Sequence, residues 1–218
     1  MRTFNSEDIK KILISIRNVM EQNKNFLIEL DSALGDGDLG LTMCAGFNSI
    51  VDGFKDSEDK DIGVLLSKAG LIMADSAAST MGTLVATAIM RAGGAVKGLT
   101  EISAKEFAEM GEASINGIKM RGKAELGDKT ILDSLIPAVS AIRENIAPGI
   151  PLEIIFKKAY MAALEGVENT KNMKARHGRA GWYGEKSIGH QDPGATVGML
   201  IMKAVCIYIE SVGGGGLQ

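Results

Sequence analysis

Aromatic residues are scarce in this chain: Phe, Trp and Tyr make up 5% of its 218 residues, so the interior has to be packed with Leu, Ile, Val, Ala and twelve Met. Cysteine is scarcer still. Cys44 and Cys206 stand far apart, which excludes a disulfide framework or a metal knuckle and suits a reducing compartment; both are expected as small buried apolar groups. A basic surplus is missing as well. With 24 Lys and Arg against 27 Asp and Glu, the formal charge is −3 and the pI near 5.5, a balance that argues against nucleic acid or an anionic membrane as the main partner but allows a small anion at one local site. The longest apolar stretch, Ala195 to Ile209, is interrupted by Lys203 and is shorter than the ~20 residues a bilayer span needs. Met1 to Asp8 is polar and acidic where a signal peptide would be basic and then apolar, so a cytoplasmic protein is expected. No G-x-x-x-x-G-K-[ST] string occurs, which excludes a P-loop kinase on motif grounds.

What is present is helical periodicity. Ile9, Ile12, Leu13, Ile16, Val19 and Met20 recur at helical spacing behind Asn5 and Ser6, which can cap. The same signature predicts helices over about 39–53, 61–77, 82–93, 103–120, 130–146, 151–169 and 194–212. Ser103 and Glu106 form a capping-box pair, and Pro151 sits where a first helical turn tolerates it. Strict apolar-polar alternation and hairpin signals are absent. The expected fold class is therefore all-α, about eight helices in one domain over residues 1–212, followed by a flexible Gly-rich tail at 213–218. Links at 31–40, 93–102, 121–129 and 171–193 join the helices, and the last is long enough to suggest a functional loop.

Chemistry concentrates in these links. Asp31-Ser-Ala-Leu-Gly35-Asp36-Gly37-Asp38-Leu39-Gly40 interleaves three carboxylates with three glycines. Glycine lets the backbone turn tightly enough for the carboxylates to converge, and converging carboxylates repel unless a cation lies between them, which implies a hard, oxygen-liganded metal such as Mg2+. The alternative is an acidic capping loop built on Asp-Gly turns. The stretch Gly35 to Gly40 also spells G-x-G-x-x-G, but that motif requires a preceding strand, and a helix is expected here. An EF-hand counted from Asp36 fails because Phe47 stands where a bidentate glutamate is needed.

Ser79-Thr80-Met81-Gly82-Thr83 precedes a helix and offers either an ordinary cap or an anion site at the positive helix end. Arg121-Gly-Lys-Ala-Glu-Leu-Gly-Asp-Lys-Thr130 is a basic, Gly-punctuated loop, and the long loop holds Lys171, Lys174, Arg176, His177, Arg179 and Lys186. Each is either a solvated basic run or part of a phosphate clamp, for which the planar, permanently charged Arg is suited. His190 has no nucleophile beside it and reads as a loop-orienting group.

Taken together, Asp31 to Gly40, Arg121 to Thr130 and Gly178-Arg-Ala-Gly-Trp-Tyr-Gly-Glu-Lys-Ser-Ile-Gly-His-Gln-Asp-Pro-Gly-Ala195 resemble the L (ADP/ATP-binding) subunit of bacterial dihydroxyacetone kinase, in order along almost the whole chain. The resemblance implies a closed barrel of about eight antiparallel helices with nucleotide and two Mg2+ at one end. It assigns Asp31, Asp36 and Asp38 to the metals and Leu39, Gly40, Leu41, Thr42, Thr80 and Met81 to the phosphate side. Gly122 and Ile131 would line the adenosine, Arg179 would contact phosphate, and Asp192, Pro193 and Gly194 would form the closing loop. The pattern departs from the family at Leu39, Thr42 and Met81, where His, Asn and Ser are common. Methionine cannot donate to a phosphate oxygen, which leaves that task to Thr80, Thr83 or backbone amides. The implied partners are a ketose-binding K subunit and a phosphoryl-carrying M subunit that recharges resident ADP, with a homodimer as the expected assembly and neither nucleic acid nor membrane involved. The other readings are an ATP-exchanging kinase subunit for another triulose or tetrulose, and a regulatory module that docks on a transcription regulator.

Overall fold

Helices begin where capping residues stand. Asn5 accepts from the amides of Glu7 and Asp8 while Asp8 reaches back to the Asn5 amide, and Ser103 with Glu106 repeats that reciprocal pair. The computed structural model describes residues 2–55 and 57–213. Among them nine α-helices carry the fold: α1 (Ser6–Gln22), α2 (Lys24–Ser32), α3 (Leu39–Gly53), α4 (Ile62–Ser76), α5 (Thr80–Ala95), α6 (Ala104–Gly122), α7 (Leu132–Asn145), α8 (Leu152–Asn169) and α9 (Pro193–Gly213). The eight expected helices are all present. The addition is α2, whose apolar stripe is too thin to read from sequence because it buries only Leu27; the segment taken as a link from residue 31 therefore starts on a helix. Two further short pieces are strands β1 (Phe4–Asn5) and β2 (Glu101–Ile102), which pair antiparallel. Gly213 closes α9, and 214–218 of the expected tail lie outside the described residues.

Packing runs α1, α3, α4, α5, α6, α7, α8, α9 and back to α1, so eight helices close into a ring while α2 lies against α3. Successive ring helices reverse direction. One end gathers the starts of α3, α5, α7 and α9 with the ends of α1, α4, α6 and α8; the β1–β2 pair joins the starts of α1 and α6 at the other. Three of the aromatics cluster near that opposite end, where Phe107 meets Phe4 and Phe156 edge to face at centroid distances of 5.3 and 5.2 Å. Elsewhere Leu, Ile, Val, Ala and Met make up most of the core, with Phe47 buried among them. Close helix approach relies on glycine: a Cβ on Gly166 of α8 would run into the Asp133 carbonyl oxygen of α7. At 21 residues α9 is long and apolar enough to cross a bilayer, but 67% of its most apolar window is buried in the ring, as befits a core helix.

The ring's architecture decides where function can sit. Four helix starts at one end present first-turn amides that have no intrahelical acceptor, and the positive ends of four helix dipoles with them.

Candidate metal and nucleotide site

Asp31 stands on the last turn of α2, and the chain then doubles back through Gly35 and Gly37 to Asp38, from which α3 starts at Leu39. Gly35 packs against the Asp31 carboxylate so closely that a Cβ would collide with it, and Gly37 is left-handed at φ 73°. The result brings carboxylate oxygens of Asp31, Asp36 and Asp38 within 4.8 Å of one another. Burial, followed by the charges of Asp36 and Asp38, holds the Asp31 carboxyl above its ordinary pKa; the Leu39 and Gly37 amides pull the other way. Asp38 occupies the N-cap position of α3 yet makes no capping hydrogen bond. The capping-loop reading therefore fails for Asp38, and three half-exposed or exposed carboxylates remain that a hard divalent cation can satisfy. The dinucleotide reading fails too, since the element before Gly35 is a helix.

Around this turn, the predicted phosphate-side residues divide by what they expose. Leu39 and Gly40 are buried, so the Leu39 side chain faces the core and only the backbone of the two is available to a ligand. A Cβ on Gly40 would run into the Lys24 carbonyl oxygen, which makes Gly40 the seat of α2 on α3. Leu41 is exposed and Thr42 half-buried. At the start of α5, Ser79 is the cap, its Oγ accepting from the Gly82 amide at 3.0 Å; the first-turn amides of Thr80 and Met81 have no intrahelical acceptor. Met81, Ile131 and Asp192 converge on Gly194: a Cβ there would lie 2.8 Å from Met81 Cε, 3.1 Å from Asp192 Oδ2 and 3.2 Å from Ile131 N. Gly122, the last residue of α6, lies beside Leu84 of α5. The site's apolar wall is thus assembled from α5, α6, α7 and α9.

Asp192 caps α9, with Oδ2 accepting from the Ala195 amide at 2.6 Å, and burial raises its pKa to about 7. Beneath the long loop lies a set of buried polar residues that sequence reasoning had not separated from the surface run. Lys129 is 2% exposed, and its Nζ donates to the carbonyls of Met173 at 3.2 Å and of Ser187 and His190 at 2.6 Å each. Burial holds this lysine below its usual pKa, opposed by the charge of Asp192. Asp133 accepts from the amides of Gly127 and Thr130 at 2.6 and 2.7 Å. Asp128 meets His177 at 3.1 Å and Arg176 at 3.2 Å; burial raises its pKa, but the Glu125 amide, His177 and Arg176 outweigh that and leave it low. The signal available in sequence was Asp128-Lys129 with Asp133 in so short a span, more polar chemistry than a solvated turn requires. Arg179, carried by the same loop, places Nη2 2.6 Å from Asp36 Oδ2. The one loop arginine singled out as a phosphate contact is therefore brought to the acidic turn, while Lys171 pairs with Glu168 and Lys174 with Glu185 elsewhere.

The DAK2 domain matches residues 33–206, most of the chain and all of the residues just described except Lys24 and Asp31. This chain belongs to the DAK2-domain family. The DAK2 chain is similar to the ADP-binding subunit DhaL of the PEP-dependent dihydroxyacetone kinase of Escherichia coli, with 34% identity over 87% of this chain and 90% of the relative. It is also similar to the ADP-binding subunit DhaL of PEP-dependent dihydroxyacetone kinase 1 of Listeria innocua, with 35% identity over 85% of this chain and 88% of the relative. Its fold is shared with the dihydroxyacetone kinase of C. freundii crystallised with AMP-PNP and Mg2+: the TM-score is 0.70 at 22% identity, over 95% of this chain and 35% of that longer one.

Proposed function

We propose that this chain is the nucleotide-binding subunit of a dihydroxyacetone-type ketose kinase, holding ADP or ATP with two Mg2+ while a partner K subunit holds the ketose. The observation that carries this reading is the meeting of a three-carboxylate turn with Arg179 at the ring end where four helix starts converge. Phosphoryl transfer asks a protein chiefly to position phosphates and to neutralise charge on their oxygens. Asp31, Asp36 and Asp38 are the groups that would hold the metal, whose chemistry when bound is to screen the charge of the terminal phosphates. Thr80 and the free amides at the start of α5 would bind phosphate oxygens, in keeping with Met81 being unable to donate. Arg179 would orient the terminal group, and Gly122, Ile131 and the Asp192–Gly194 turn would enclose the base and ribose. The PEP-dependent relatives favour resident ADP recharged in place by an M subunit over free ATP exchange. The buried free thiols of Cys44 and Cys206 agree with a cytoplasmic setting, and a homodimer is the proposed assembly.

Neither histidine is placed as a sugar-binding nucleophile: His177 pairs with Asp128, and His190 is exposed with its carbonyl on Lys129. A donor site without an acceptor site makes the isolated chain incompetent. Purified chain with Mg-ATP should leave dihydroxyacetone unphosphorylated, should retain ADP through gel filtration, and should support phosphorylation once a K subunit and a phosphoryl source are added. Ketose phosphorylation by the chain alone, at the rate seen with the partner, would refute the subunit reading; capture of a DNA-binding regulator without any kinase activity would favour a regulatory module.

A further inference from the structure

A charged lysine is costly to bury unless its donors are satisfied, and Lys129 is buried with all three of its ammonium protons matched to carbonyl oxygens. Its backbone is left-handed, at φ 62°, and its side chain runs beneath the loop instead of out to solvent. The three carbonyls belong to Met173, before Arg179, and to Ser187 and His190, after it, so one ammonium closes both arms of the loop. The neighbouring Asp128 grips the near arm again: its carbonyl accepts from the Arg176 amide at 3.2 Å and its carboxylate takes Arg176 and His177. Ser187 adds a cross-brace, accepting from the Ala175 amide at 2.9 Å and donating to the Gly184 carbonyl at 2.6 Å. Arg179 lies between these anchors and is itself more than half exposed. Its position over Asp36 is therefore determined by the frame from which it hangs.

We infer that Lys129 is a positioning residue for the nucleotide site: by drawing together the two arms of the 171–190 loop, it sets where Arg179 stands over the acidic turn. The inference rests on the nucleotide-binding reading for its consequence, but not for the pin itself. The test is a double-mutant cycle on the full chain, in which Mg-ADP affinity is measured by calorimetry for wild type, Lys129→Met, Arg179→Ala and the double variant. Trypsin cleavage within 171–190 is followed in parallel without nucleotide. Lys129→Met should weaken Mg-ADP about 10- to 100-fold, the range typical for groups that orient a ligand-binding residue. In the Arg179→Ala background it should add little, since residues acting through one another are not additive. Cleavage at Lys174, Arg176, Arg179 and Lys186 should accelerate in Lys129→Met while the helical ring keeps its far-ultraviolet signal. Equal fold-losses in both backgrounds, or unchanged loop cleavage, would overturn the inference, because a merely structural lysine lowers affinity whether or not Arg179 is present. Should Lys129→Met fail to fold, Lys129→Arg serves in the same cycle. It keeps the charge but spreads its donors in a planar fork, and a smaller loss with the same non-additivity is expected. If wild type binds no Mg-ADP, the nucleotide reading fails by itself, and the trypsin comparison still decides whether Lys129 pins the loop.

Discussion

Removal of Asp38 separates a metal ligand from a structural cap. Its carboxylate lies no more than 4.8 Å from those of Asp31 and Asp36, and two like charges at that distance repel by about 0.9 kcal/mol in water and by more where protein displaces solvent. Asp38→Ala relieves two such repulsions. Against this gain stands the attraction of the carboxylate to the positive start of α3, about 0.3–1 kcal/mol. The ~1 kcal/mol typical of a lost cap does not enter, because Asp38 makes no cap hydrogen bond. In EDTA the variant should therefore unfold in urea within about 1 kcal/mol of wild type, on the more stable side. On the proposed function magnesium should reverse the order: wild type should gain stability through metal binding to the native state alone, whereas Asp38→Ala should gain little and should no longer retain ADP in a magnesium-dependent way. Urea titrations followed by circular dichroism, with and without magnesium, read both effects. A variant that is clearly less stable than wild type in EDTA, or one that keeps the full magnesium response, would refute the reasoning, the first by showing a structural role and the second by showing that two carboxylates suffice.

Other outcomes follow from the same geometry. Arg179→Ala should weaken Mg-ADP binding by about 1.5 to 3 kcal/mol, the scale of a charged hydrogen bond, while Lys171→Ala, whose amine sits on Glu168, should change it little; equal losses in calorimetry would mean the loop acts only as diffuse positive charge. Asp192 has its pKa raised to about 7 by burial, so the folded chain binds more protons than the unfolded one between the ordinary carboxylate range and neutrality. This group's contribution to stability is thus fully present at low pH and lost as pH rises toward 7, and Asp192→Asn should flatten that slope in urea titrations run from acid to neutral pH; an unchanged slope would place its origin elsewhere. Gly40→Ala should destabilise the fold by about 1 to 3 kcal/mol, as overpacking does, and should also weaken the magnesium response, because the new Cβ pushes α3 off α2, the helix that carries Asp31. A loss of stability with the full magnesium response retained would show that α2 moves with α3 as a unit.

Sequence by itself determined eight of the nine α-helices among the described residues, and the acidic turn. Apolar residues repeat at 3.6-residue spacing whatever their neighbours, and capping residues such as Asn5 and Ser103 act within a few positions, so these elements could be read locally. The Asp31–Gly40 turn was legible for the same reason, since its three carboxylates and three glycines lie close together in the chain. Helix α2 was not, because it buries one residue and its place depends on α3 behind it. Only the tertiary structure decided the partners and burial of the basic residues. Lys129, Lys171 and Arg179 look alike in basic loops of the sequence, yet the first is buried on three carbonyls, the second pairs with its neighbour Glu168, and the third crosses to Asp36. Closure of the ring likewise brings Met81, Ile131 and Gly194 to one wall from three helices. Such outcomes depend on long-range packing, which sets the burial and partners of a charge, and no local pattern of residue types encodes them.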